Sequence, residues 1–242
     1  LSASAPRGRW SAAVYTDPNG APVGSISFDV QDFVPQKLKV TLAATQTAID
    51  PAQPVSVDVE SRFLYGAPSA GLGGEGTLTL RRAVTPFPKF EQYAFGSADE
   101  SFDPQQINLE VGTTDAEGKT TATASLADID LSQTTLPLEA AIDVQIYEPG
   151  GRTTGEQITL PVTTKPVAIG VRGNFDYDTV AENSDAGFEI VGVNDKGEPI
   201  AIPGATYEFV REIVDYRWYQ ADGEWRYDRI VRDRILSGGK VD

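Results

Sequence analysis

Apolar and polar residues alternate along most of this chain in short runs, and a turn signal separates almost every run from the next. Val55, Val57 and Val59 point one way while Ser56, Asp58 and Glu60 point the other; Ile26, Phe28 and Val30 repeat the pattern, as do Leu38, Val40 and Leu42. Farther on, Thr206, Glu208 and Val210 alternate with Tyr207 and Phe209. A period of two is what a strand with one buried face requires. Between the runs stand Asp17-Pro18-Asn19-Gly20, Glu117-Gly118, Pro149-Gly150-Gly151, Asp195-Lys196-Gly197 and Asp222-Gly223, residues that tolerate or impose turn dihedrals. No stretch carries a convincing amphipathic helical period. The pattern predicts an all-β chain built of tandem antiparallel β-sandwich domains, of the immunoglobulin or fibronectin kind.

Composition narrows the chemistry. The 242 residues contain no His, Cys or Met. Disulfides, thiolate nucleophiles, thiolate zinc sites and histidine general bases are therefore excluded. With 20 Lys+Arg against 35 Asp+Glu, the net charge is −15. Such a surface repels phosphate backbones and anionic lipid, so neither nucleic acid nor direct membrane docking is expected. The charge is uneven: residues 211–242 hold seven basic and seven acidic residues, which leaves the whole deficit on residues 1–210.

Shifted so that Pro18 falls on Pro149, the chain matches itself in punctuation and in strands. Gly20 and Gly24 become Gly151 and Gly155; Gly66-Ala67-Pro68 becomes Gly197-Glu198-Pro199; Val57 and Val59 meet Phe188 and Ile190. This internal repeat divides the chain into residues 1–33, the closing strands of one module; residues 34–165, a complete module; and residues 166–242, the opening strands of a third. A chain cut so predicts a longer parent.

Three segments carry a family resemblance. The run Phe28-Asp29-Val30-Gln31-Asp32-Phe33-Val34-Pro35-Gln36-Lys37-Leu38-Lys39-Val40 resembles the junction between consecutive macroglobulin-like domains of the alpha-2-macroglobulin family. Leu64-Tyr65-Gly66-Ala67-Pro68-Ser69-Ala70-Gly71-Leu72 looks like that family's Tyr-Gly-x-Pro turn in its bacterial form, and Gly192-Val193-Asn194-Asp195-Lys196-Gly197-Glu198-Pro199-Ile200 is similar to the matching turn of the following domain. The resemblance implies macroglobulin domains of a large protease trap, with target proteases engaged through the full-length protein and no cofactor. It also implies the periplasm or bacterial cell envelope, work beside a peptidoglycan synthase, and a membrane tie only through a lipid anchor outside this stretch. With no cysteine, the family's thioester is not in these residues.

Carboxylate pairs abound: Asp29 with Asp32, Glu91 with Asp99 and Glu100, Asp128 with Asp130, Asp176 with Asp178. None sits in an apolar run that would raise one acid, so no catalytic pair is assigned. Asp128-Ile129-Asp130 and Asp176-Tyr177-Asp178 are calcium candidates, though neither has the EF-hand order. Asp115-Ala116-Glu117-Gly118-Lys119 lacks phosphate-loop spacing and reads as a hairpin turn.

The last hairpin is the most unusual segment. A two-residue turn at Asp222-Gly223 opposes Gln220 to Trp225, Trp218 to Tyr227, Arg217 to Asp228 and Val214 to Val231. One face then carries Tyr216, Trp218, Trp225 and Tyr227, the other Arg211, Arg217, Arg226, Arg232 and Arg234. The aromatic face is expected to pack as sandwich core; its alternative role is a partner-binding platform, with Trp218 as the central residue. The sequence as a whole reads as a structural, non-enzymatic segment of a macroglobulin-like array. The alternative is an immunoglobulin-like adhesion or carbohydrate-binding array on a bacterial surface.

Overall fold

A computed structural model describes residues 6, 8–30, 37–177 and 179–241, and among them the regular structure is strand apart from one 3₁₀ turn, Pro88–Phe90. The junction residues 31–36, including Pro35, lie outside the described residues.

The central body forms because the alternation is strict. Its strands are β3 (Leu38–Ala44), β4 (Val55–Phe63), β5 (Gly74–Arg82), β7 (Gln105–Val111), β8 (Lys119–Ala124), β9 (Leu138–Tyr147) and β10 (Thr153–Val162), with the two-residue β6 (Ala94–Phe95) in the long connection after β5. Hydrogen bonding runs in the order β10-β9-β5-β7-β8-β4-β3, all antiparallel. β7 joins two layers: its first half pairs with β5, while Glu110 and Val111 pair with β8. On the far side Ile49 bridges to Val162, its N–H donating to Pro161 O at 2.8 Å and its carbonyl accepting from Thr163 N–H at 2.9 Å. The inward faces of the two layers form one core: Leu38, Val40 and Val55, Val57, Val59 from one, Leu78, Leu80, Ile142, Val144 and Ile146 from the other. Each such side chain contributes roughly 1.5–3 kcal/mol by leaving water.

The offset that carries Pro18 onto Pro149 is present in the pairing register. In the hairpin of β1 (Gly8–Val14) and β2 (Gly24–Val30), Val14 faces Gly24 and Gly8 faces Val30. In the hairpin of β9 and β10, Gln145 faces Gly155 and Glu139 faces Pro161. The turns after β4 and β12 (Phe188–Asn194) match too: Phe63 N–H donates to Ala67 O as Asn194 N–H does to Glu198 O, and both Gly66 and Gly197 take positive φ. The first strand departs from the rule. Leu38 faces Phe63, whereas Val167, not Ile169, faces Asn194, so the connection before β12 is two residues longer.

Beyond the body, β11 (Val167–Gly173) pairs with β12, and β12 with β13 (Pro199–Ile200). β14 (Thr206–Ala221) and β15 (Glu224–Lys240) form a separate two-stranded ribbon. At these two ends the alternating faces are uncovered. Ile26 and Phe28 of β2, and Tyr207, Phe209 and Val210 of β14, are exposed, because among the described residues no second layer covers them.

Candidate functional site

The residues that bind one module to the next lie in the connection between β5 and β7. Ala83 N–H donates to Pro137 O at 2.9 Å, holding the start of the connection to the body. Pro86 and Pro88 then restrict φ on either side of Phe87. At its other end the connection is stapled to the loop before β9. The Glu100 carboxylate accepts from the Thr134 hydroxyl, from the Thr135 hydroxyl at 2.6 Å and from Thr135 N–H at 2.9 Å. Ser97 N–H donates to Thr135 Oγ1 at 2.8 Å. These donors stabilise the ionised carboxylate, Thr134 first and Thr135 next, and hold the Glu100 pKa down at about 2.

The middle of the connection reaches the other module. β6 adds to the edge of β11, with Phe95 facing Gly170 and Ala94 facing Val171. Phe95 is buried, 4.7 Å from the Phe87 ring. A Cβ on Gly170 would lie 2.7 Å from the Phe95 ring, so only glycine permits this approach. Beside it, Arg172 Nη2 meets Glu189 Oε2 at 2.6 Å, the Tyr93 hydroxyl donates to the same oxygen at 2.9 Å, and the guanidinium carbon lies 5.2 Å from the Tyr93 ring centre. Arg172, then Tyr93, lower the Glu189 pKa; accepting that bond, Glu189 raises the Tyr93 pKa. An apolar cavity of about 640 Å³ runs along this joint, lined among others by Phe87, Leu136, Leu138, Ile169 and Val193. The connection is thus a buckle, fixed to the body by Glu100 and to the next sheet by Phe95 and Tyr93.

Two expected outcomes follow from the buckle. Gly170→Val forces Phe95 out of its seat, at a local cost of about 1–3 kcal/mol. A cost of about 1.4 kcal/mol already raises the open population roughly tenfold. Trypsin should therefore cut after Lys89, within the connection, roughly tenfold faster than in the unsubstituted chain; an unchanged rate would remove Phe95 from the joint. The second outcome concerns acid. A carboxylate whose folded pKa lies below its ordinary 4.5 stabilises fully above that value, and the contribution fades as pH falls toward 2. Glu100→Gln should lower the thermal midpoint at pH 7, with the gap to the parent chain closing between pH 4.5 and 2. A gap constant with pH would show that Glu100 acts by packing alone.

A second clasp sits where the chain comes into the body. Glu148 is only 5% exposed; its carboxylate accepts from the Thr154 hydroxyl at 2.6 Å and from Lys37 N–H at 3.2 Å. Thr154, more than the Lys37 and Leu38 amides, lowers its pKa against the opposing effect of burial. Leu64 N–H donates to Lys37 O at 2.9 Å, so Lys37 is held by both backbone groups between two turns.

The terminal ribbon has the register the sequence predicts. Gln220 faces Trp225, Trp218 faces Tyr227, Arg217 faces Asp228 and Val214 faces Val231. Asp222 at φ 54° and Gly223 at φ 80° make a turn with both central residues left-handed, the twist a two-residue hairpin needs. The sequence expects core on its aromatic face; among the described residues that face is uncovered. Tyr216 and Tyr227 are each 57% exposed, Trp218 62% and Trp225 70%, because nothing among the described residues packs on them. Their rings lean on one another, Trp218 5.2 Å from Tyr227 at 51° and Tyr216 5.6 Å from Tyr227 at 73°.

The remaining candidates resolve into local structure. Asp130 Oδ1 accepts from Ser132 N–H at 2.9 Å, which lowers its pKa, and Asp115 Oδ1 accepts from the Glu117 and Lys119 amides, closing a hairpin turn. Asp32 and Asp178 lie outside the described residues. Among the described residues no group of three or more Asp or Glu is placed to hold a metal ion. Sequence reading missed Tyr93, Phe95, Gly170, Arg172, Glu189 and Glu148. The cluster of aromatics Phe87, Phe90, Tyr93 and Phe95 was the available signal.

Comparison with known proteins agrees with this geometry. The family described as the bacterial alpha-2-macroglobulin MG5 domain matches residues 36–164, and bacterial macroglobulin domain 6 matches residues 170–242. The alpha-2-macroglobulin of Xylella fastidiosa is 28% identical over 233 residues, 94% of this chain and 14% of that protein. The chain therefore spans a small part of the curated relatives it matches. Among solved structures, Salmonella alpha-2-macroglobulin reacted with methylamine gives a TM-score of 0.69 at 28% identity, covering 99% of this chain and 16% of that one. Escherichia coli alpha-2-macroglobulin activated by porcine elastase gives 0.62 at 25% identity, covering 96% and 20%.

Proposed function

The chain belongs to the bacterial alpha-2-macroglobulin family, and on that premise we propose that it is a structural segment of a protease-trapping inhibitor, holding domain geometry rather than doing chemistry. The observation that carries this is the buckle. One connection is pinned to the central body by Glu100 and supplies β6 to the sheet of the following module, so the two modules move as a coupled pair. A Gly/Ser tether would leave them independent. In a trap, a cut made elsewhere must be converted into domain movement, and stiff joints transmit it.

The modules are residues 1–33, 34–165 and 166–242, a division supported by the repeated hairpin register and the matching turns. The parent works in the periplasm or cell envelope, and its target proteases engage the full-length protein; a relative activated by porcine elastase supports a protease partner. A shielding assay on the full-length protein tests the reading. After incubation with elastase, cleavage of a small peptide substrate should persist while cleavage of a large protein substrate falls, and Gly170→Val should weaken the protection. Equal activity on both substrates, with elastase and trypsin alike, would overturn the trap and leave the adhesion-array alternative.

A further inference from the structure

We infer that the central body holds an internal water molecule under its Tyr65-Gly66 turn, bound between the hydroxyls of Ser61 and Ser69. The inference concerns one module and is independent of the trapping reading; a parent that traps nothing leaves it standing.

The site follows from how the turn returns to β4. Phe63 N–H donates to Ala67 O at 2.8 Å and Ser69 N–H to Ser61 O at 3.2 Å, so Arg62 bridges to Pro68 in antiparallel register. Residues opposed across such a pair share a face. Arg62 and Pro68 are exposed, while Ser61 and Ser69, which flank them, point inward together and are each 0% exposed. Ser61 thus stands next after Val55, Val57 and Val59 in the inward row of β4, where the alternation calls for another apolar side chain.

Among the described residues neither serine Oγ has a hydrogen-bond partner, and both are sealed from the surface. Two such hydroxyls side by side in a core need a partner, because burying a polar group unpaired is costly. The nearby backbone groups are already committed. Ser61 N–H donates to Gly118 O at 2.8 Å, Ser61 O accepts from Ser69 N–H, and Ser69 O accepts from the Thr114 hydroxyl at 2.6 Å. Opposed Cβ atoms lie about 5 Å apart, a span that one water bridges with two bonds of about 2.8 Å. The walls are polar as well. Thr114 is 4% exposed, and its Oγ1 also accepts from Leu72 N–H at 2.9 Å, which leaves that oxygen one lone pair. A polar site of this kind holds water, whereas an apolar one stays dry. Ser61, Ser69, Thr114 and Gly118 are all uncharged, so an ion in the same place would lack a counter-charge.

The following module supplies the contrast. Its matching turn sets Gly192 opposite Ile200, as the first sets Ser61 opposite Ser69. There the Ile202 side chain lies over Gly192, its Cγ2 2.5 Å from where a Cβ would stand. What one module fills with an isoleucine, the other lines with two hydroxyls, and water can donate to one of them and accept from the other.

A crystal structure of the 242-residue chain, at a resolution that shows ordered solvent, tests this. It should place one peak within about 2.6–3.2 Å of both Ser61 Oγ and Ser69 Oγ. In solution, the Ser61 and Ser69 amides should show NOEs to a long-lived water. Ser61→Ala and Ser69→Ala each remove one anchor and should weaken those cross-peaks several-fold. The peak is sought in the unsubstituted chain, so the result stands even if a variant fails to fold. No peak, one bonded to a single hydroxyl, or hydroxyls bonded to each other or to a carbonyl would overturn the inference. So would water cross-peaks that survive both substitutions.

Discussion

Replacing Gly118 by alanine is expected to cost the central body roughly 3–5 kcal/mol, a drop of its thermal midpoint by on the order of 10 °C. Gly118 ends the turn between β7 and β8 at φ 78°, which alone costs an L-residue about 1–2 kcal/mol. The added Cβ would also stand 2.3 Å from Ser61 O and 3.0 Å from Ser69 N, both backbone atoms. Relief requires the β7–β8 turn to move away from β4. That breaks the bond from Ser61 N–H to Gly118 O, 2.8 Å, and strains that from Ser69 N–H to Ser61 O, 3.2 Å. Gly66 is the control: its φ is 98°, yet nothing lies within 4 Å of the added atom. Gly66→Ala should cost only about 1 kcal/mol. Equal midpoints for the two variants, by calorimetry, would show that φ and not the close approach sets the requirement.

Glu148→Ala should be the other severe change, at about 3 kcal/mol, because hydrogen bonds to a buried charge are worth about 1.5–3 kcal/mol each and their donors would be left unsatisfied. The donors are the Thr154 hydroxyl and the Lys37 amide, with Leu38 N–H adjacent. Glu148→Gln retains an acceptor and should cost roughly 1 kcal/mol. Hydrogen exchange gives the specific readout. The Lys37 and Leu38 amides should exchange on the order of 100-fold faster in the alanine variant, while Leu64 N–H, bonded to Lys37 O at 2.9 Å, loses less protection. Urea denaturation within half a kcal/mol of the parent chain would show that Glu148 is spectator to the clasp.

How much was legible differs sharply between the body and its joints. β4 reads directly from Val55, Val57 and Val59, all buried as their alternation requires. The ribbon register reads from Asp222-Gly223, because a two-residue turn fixes every cross-strand pair beyond it up to the irregularity at Phe209 and Val210. By contrast, Glu100 reads in sequence as one of several loose carboxylates near Asp99 and Glu91. Its role exists only because Thr134 and Thr135, far along the chain, bring two hydroxyls and an amide to it. β6 is two residues long, too short to leave a periodic trace, and its partner Gly170 lies beyond four intervening strands.

What is local was settled by the residues themselves: strand after strand, the glycines of the turns and the absence of cysteine and histidine side chains. Period and turn dihedrals are set by neighbours in the chain, so they can be read there. Which alternating faces are covered was settled only by the assembled fold. The same pattern is buried in β4 and bare in β14, since burial belongs to whatever packs against a face and not to the face itself. The fold also made the connection between β5 and β7 tie two modules together, because a carboxylate gains its donors and a glycine its aromatic neighbour only once distant segments meet.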